Sequence, residues 1–145
     1  MFLPNMTFLQ PPGHVHKLWQ RTKQPNVLRV NTSDDRVSVS GQLSDDGATL
    51  VVRLVNVNTT ASQMVKLDIT SIGHGSSGGS GFGHGELWTM KSTHGDILQC
   101  NTPASPNEVS PVKVAFAIND AIHLPPASLG TVVLQKTQTK DPYAR

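Results

Sequence analysis

Ala48-Thr49-Leu50-Val51-Val52-Arg53-Leu54-Val55-Asn56-Val57 reads as a strand that is apolar on both faces in its middle. A half-exposed strand would alternate apolar with polar positions. Here the middle is apolar at successive residues, so both faces of the strand are covered and it belongs at the centre of a sheet. Upstream, Val37 and Val39 alternate with Ser38 and Ser40, and Leu43 leads into the turn signal Ser44-Asp45-Asp46-Gly47. Downstream, Asn58-Thr59-Thr60-Ala61-Ser62 turns the chain. Val65, Leu67 and Ile69 then alternate against Lys66 and Asp68, as a β-hairpin or one arm of a Greek key.

The same period continues towards the C-terminus. Residues 73–85, with His74, His84 and many Gly and Ser, have the composition of a flexible surface loop. Glu86–Lys91 and Asp96–Gln99 read as two strands joined by Ser92-Thr93-His94-Gly95. Cys100 is expected as a small buried residue beside the second of them. Val112, Val114, Phe116 and Ile118 give the clearest alternation, followed by a short strand at Ala121–Leu124, a Pro125-Pro126-Ala127-Ser128 break and a last strand at Leu129–Gln135. Pro103, Pro106 and Pro111 keep residues 101–111 from pairing as a central strand, which predicts a stiff crossover between sheets with Glu108 riding on it.

Residues 1–25 differ. Val15, Leu18 and Trp19 stand at i, i+3 and i+4 after Pro11-Pro12, one apolar stripe on a short helix that needs a partner surface. Strands separated by turns, without intervening helices, predict an all-β fold: an antiparallel two-sheet β-sandwich of jelly-roll or Greek-key type with a short N-terminal helix. The expected organisation is a helix and linker at 1–25, the sandwich at 26–136 and a polar tail at 137–145.

The chemistry-bearing residues are few. With 15% charged residues, a net charge of +2 and no basic stripe, composition offers nothing to nucleic acid. No apolar run approaches a membrane span, and MFLPNMTFL lacks the basic residues of a signal peptide. One cysteine excludes an internal disulfide. The only glutamates, Glu86 and Glu108, would have to stand about 5–9.5 Å apart to hydrolyse a glycoside, and nothing in their spacing brings them together. Asp34-Asp35 and Asp45-Asp46 fit turn chemistry better than calcium. His74, His84 and His94 fit a solvated loop better than zinc. No catalytic residue, metal or cofactor is expected. Trp88 is the candidate sugar platform, though its strand position favours burial. Asn5, Asn31 and Asn58 head Asn-x-Ser/Thr triplets that permit N-glycosylation of a secreted chain.

Several short motifs recur in one order: Gln10-Pro11-Pro12 through His16-Lys17-Leu18-Trp19, Gly47–Asn56, Glu86-Leu87-Trp88, Gly95-Asp96-Ile97, Asn101-Thr102, Pro106–Pro111 and Leu124-Pro125-Pro126-Ala127-Ser128-Leu129. The ordered set resembles the C-terminal domain of α-L-arabinofuranosidases of glycoside hydrolase family 51. That resemblance implies a sandwich preceded by the last helix of a (β/α)-barrel. The barrel would carry both catalytic glutamates, to which no position here corresponds, and would be the domain's partner. Such enzymes release terminal α-L-arabinofuranosyl groups from plant arabinose polysaccharides without a metal. Two function classes therefore stand side by side: an accessory sandwich of such a hydrolase, and a free-standing carbohydrate-binding module.

Overall fold

The structure is a computed structural model that describes residues 2–3, 6–69, 72, 81–92 and 96–136. Much of the glycine-rich loop with His74, the turn residue His94, Asn5 and the 137–145 tail lie outside the described residues. Helix α1 (Pro11–Thr22) follows two paired two-residue strands, β1 (Phe2–Leu3) and β2 (Met6–Thr7). Then come β3 (Asn26–Leu28), β4 (Val37–Leu43), β5 (Thr49–Asn56), β6 (Gln63–Val65), β7 (Phe82–Met90), β8 (Val112–Ala117), β9 (Ile122–Leu124) and β10 (Leu129–Lys136).

A six-stranded sheet runs in the order β3-β4-β5-β10-β7-β8, and β6 pairs with β9 in a second layer. Every pairing is antiparallel. The chain reaches β6 and β9 from the large sheet and returns to it, so the arm at 63–65 crosses layers and does not fold back on β5 as a hairpin. β4 and β5 do form a hairpin. Gly47 takes φ 66° in its loop, and the Ser44 hydroxyl accepts from the amides of Ala48 and Thr49.

Register explains the core. Opposite residues share a face: Leu54 with Gly130, Val52 with Val132, Leu50 with Leu134, and on the far side Leu87 with Val132. That face meets Ile122 and Leu124 of β9 to make the buried cluster, which also takes in Val37, Phe82 and Phe116. Each such aliphatic side chain contributes about 1.5–3 kcal/mol on full burial. Val51, Arg53 and Thr131 point to the opposite face and are buried too. As the run at 48–57 predicts, β5 is covered on both sides, and α1 lies on the second.

Two buried asparagine amides fasten the connections. Asn56 Nδ2 donates to the carbonyls of Ala61, Leu124 and Pro125, while its Oδ1 accepts from the Asn58 amide. It ties the end of β5 to both turns beside it. Asn101 accepts from Val109 N at Oδ1 and donates from Nδ2 to the carbonyls of Val109 and Leu9. Gln10 completes the latch, donating to the Asn101 carbonyl and accepting from its amide. The approach to α1 is thereby pinned to the proline loop.

Three expectations fail for identifiable reasons. The proline segment joins β7 to β8, adjacent strands of one sheet, and is not a crossover between sheets. Residues 96–100 form no strand. Leu98 is 80% exposed and Cys100 is exposed, its Sγ 3.4 Å from the Leu98 carbonyl. The alternating Val112 and Val114 lie on edge strand β8, 59% and 48% exposed, while Phe116 reaches the core and Ile118 packs against it. Phe82–Gly85 belong to β7 and not to a loop. Glycine serves contact there: Gly85 stands opposite Leu134 and Phe116, and a Cβ on it would overlap the Val133 carbonyl oxygen.

Gly85→Ala should therefore lower unfolding free energy by about 3 kcal/mol or more, read from urea denaturation. Gly47→Ala, with no neighbour for its Cβ, should cost only the left-handed backbone strain of about 1–2 kcal/mol. Equal losses would contradict the register.

Candidate functional site

The two glutamates take separate partners. Glu86, in the middle of β7, accepts from Lys113 Nζ at 2.9 Å. The Lys113 hydrogen bond holds its carboxyl below the usual range, helped by the Lys113 charge, the Trp88 indole and Arg21. A general acid needs the opposite shift. Glu108, on the proline loop, accepts from Gln99 Nε2 at 2.6 Å. The clefts of about 300 to 430 Å3 on the described surface are bordered by neither. Asp34 is bound to Arg36, whose side-chain hydrogen bonds hold it down to about 2, and Asp46 accepts from Ser44 and the Ala48 amide. Both aspartates act in turns. Among the described residues no group of three His, Cys, Asp or Glu converges to hold a metal ion. His123 is exposed on β9.

The organised polar chemistry lies between α1 and the sheet. Arg53 is only 8% exposed and, among the described residues, no carboxylate pairs with it. Its guanidinium donates to Gln42 Oε1 at 2.7 Å and, at 3.4 Å, to the Trp19 carbonyl and Thr22 Oγ1 in the last turn of α1. The Trp19 ring centroid lies 5.7 Å from it. A helix C-terminus carries partial negative charge, so the dipole and the ring stand in for the missing counter-ion. Burial still pulls the Arg53 pKa down, far from any titration near neutrality. The sequence reading passed over this arginine, whose signal is that it is the one charge inside an apolar run.

Trp88 is half-buried on β7, its ring centroid 5.4 Å from Lys113 Nζ, and it borders a small cavity under α1. That setting is neither full burial nor an open platform. Trp19 is the more exposed ring, at 36%. Together with Pro11, Pro12, Val15, His16 and Met90 it lines a shallow, nearly wholly apolar groove of about 380 Å3. Ile97 and Val57 extend the apolar surface through the neighbouring cleft that shares Pro11 and Met90. Of the sequon asparagines, Asn31 is exposed, and Asn58 Oδ1 accepts from the Thr60 amide and hydroxyl and from Ala61 N in a turn.

A β-sandwich with a helix seated on its outer sheet face defines the class, and comparison with solved structures narrows it. An arabinofuranosidase crystal structure matches over 93% of this chain and 31% of its own, with 13% identity and a TM-score of 0.76. The thermostable family 51 α-L-arabinofuranosidase from Thermotoga petrophila RKU-1 matches over 92% and 30%, with 13% identity and a TM-score of 0.72. The family 51 enzyme from Xanthomonas axonopodis pv. citri reaches 22% identity over 88% and 27%, with a TM-score of 0.63. The chain thus has the fold of rather less than a third of those proteins. No protein-family model and no curated protein matches it.

Arg53→Ala should cost about 2–4 kcal/mol, because it removes the stem's packing and leaves Gln42 and the helix end without their donor. Arg53→Met, which keeps the packing and removes the buried charge, should cost less than half of that. Both are measured from the urea midpoint at constant m. An Arg53→Ala loss within 0.5 kcal/mol of zero, the range of ordinary surface substitutions, would show that the guanidinium does not hold α1.

Proposed function

We propose that this chain is an accessory, non-catalytic β-sandwich of an arabinofuranosidase-like glycoside hydrolase, packing on and steadying a barrel that carries the acid chemistry. The observation behind this reading is the match of nearly the whole chain to under a third of such enzymes. The separate ties of Glu86 and Glu108 agree with it. So does the uncovered apolar groove beside α1, since such surfaces suit burial against another domain. In this reading the sandwich is the C-terminal part of the enzyme and its partner is the barrel of the same protein. The parent releases terminal α-L-arabinofuranosyl groups from plant arabinose polysaccharides, feeding L-arabinose metabolism. If the parent is secreted, exposed Asn31 is the better presented of the two described sequons.

A free-standing carbohydrate-binding module is the second reading. It is favoured by one observation, the partly exposed Trp19 ring on an apolar groove.

The purified chain should release no aglycone from an aryl α-L-arabinofuranoside. It should bind a barrel fragment of a related enzyme by calorimetry, and Trp19→Asp should abolish that binding. Turnover lost on Glu86→Gln or Glu108→Gln would overturn the proposal. Saturable binding of arabino-oligosaccharides without any affinity for a barrel would favour the module.

A further inference from the structure

Three side-chain polar atoms among the described residues are enclosed without a hydrogen-bond partner: His14 Nε2, Arg53 Nε and Thr131 Oγ1. Arg53 and Thr131 stand directly opposite each other on β5 and β10, and Trp88 follows Thr131 on β7. His14 belongs to α1, whose Leu18 is buried beside Trp88. A buried polar atom without a partner costs about 1–3 kcal/mol, so the seam between α1 and the sheet is built with unfilled valence.

His14 also borders a space. His14, Lys17, Leu18 and Arg21 border a cavity of about 140 Å3 with Trp88 and Pro111. Positions 14, 17 and 21 are spaced by three and four residues, so their side chains rise from one face of the helix. The charge around the cavity is unbalanced. Glu86 is the nearby carboxylate, and Lys113 holds it. Neither Lys17 nor Arg21 forms an ion pair among the described residues. The volume is below the roughly 300 Å3 of a pocket for a drug-sized molecule, which suits a head group and not a whole sugar.

We propose that this cavity is a site for one small oxyanion, a carboxylate or a phosphate, held by Lys17 and Arg21 and closed by His14 and Trp88. The two cations supply charge-assisted donors, the strongest class of hydrogen bond to such groups. His14 adds positive charge to the cavity wall once its imidazole is protonated. A uronic acid unit of an acidic polysaccharide would be the carboxylate source on the function proposed above; the site itself does not depend on that function.

Burial and the Lys17 charge hold the His14 pKa below 6.5 in the unliganded chain. Lys17 acts on it directly, and Arg21 and Trp88 share its cavity wall; Glu86 on the packed strand interacts with Arg21, Trp88 and Lys113. A bound anion offsets the cations, so by linkage it must raise the His14 pKa and bind more tightly as pH falls through that pKa.

The test uses the full chain with Trp19→Phe, so that fluorescence reports Trp88, and follows the His14 imidazole by NMR. Galacturonate, inorganic phosphate and, as neutral control, galactose are titrated near pH 6.5. The expected result is saturation by an anion, none by galactose, a raised His14 pKa, and at least fivefold weaker binding in Arg21→Gln and Lys17→Gln. Both substitutions lie on exposed helix positions, and a cooperative urea transition confirms their folding. Saturation by galacturonate supports the uronate source. Saturation by phosphate alone supports the site and rejects that source. No saturation by either anion, or affinity unchanged in both variants, would overturn the proposal whatever the chain's relation to a hydrolase.

Discussion

The structure depends on the burial of one strand from two sides. β5 sets Leu50, Val52 and Leu54 against the short β6-β9 layer, and Val51 and Arg53 against α1. A single covering layer would leave one row of these side chains in water, at about 25 cal/mol per Å2 of apolar area. Ten consecutive residues thereby require a layer above the sheet and another below. β10 is subject to the same demand: Val132 and Leu134 point to one side and Thr131 to the other, all fully buried. The two strands lie side by side at the centre of the sheet, where cover on both faces is most complete.

The two layers meet that demand by different chemistry. The β6-β9 side is an aliphatic interior of Ile122, Leu124, Phe82 and Phe116 packed against the sheet. The α1 side combines Leu18 with a guanidinium, an indole and, among the described residues, three polar atoms without partners. An aliphatic core is held by close packing and excludes water. The helix seat is held by directed bonds to the last turn of α1 and by the Asn101–Gln10 latch near its first. The face that carries polar chemistry is also the face whose surroundings are least complete.

Much of the fold could be read from residue patterns because the local signals were strong. The unbroken apolar run placed β5, Ser44-Asp45-Asp46-Gly47 placed the hairpin, and Pro11-Pro12 placed the start of the helix. The errors share one cause: pattern reports the face of a residue but not its place across the sheet. The alternation of Val112 and Val114 carried no sign that β8 is an edge. Ile97 and Leu98 are apolar, but they sit in a turn outside any sheet. Gly85 counted as loop composition until its neighbours Leu134 and Phe116 were known. The helix seat was only half legible. The stripe of Val15, Leu18 and Trp19 said that α1 must dock, but the reading of the 48–57 run passed over Arg53, and nothing linear joined the two. The tie of Asn101 to Gln10, 91 residues apart, had no sequence signal at all.

If α1 is a structural layer, removing it must cost the sheet its fold. Urea unfolding of a chain beginning at Lys23, compared with the full chain, is the direct measurement. The account predicts loss of the cooperative transition, or a midpoint so low that Val51 and Arg53 amides exchange as in an unfolded chain. A truncated chain with the same midpoint and slope as the full one would contradict it.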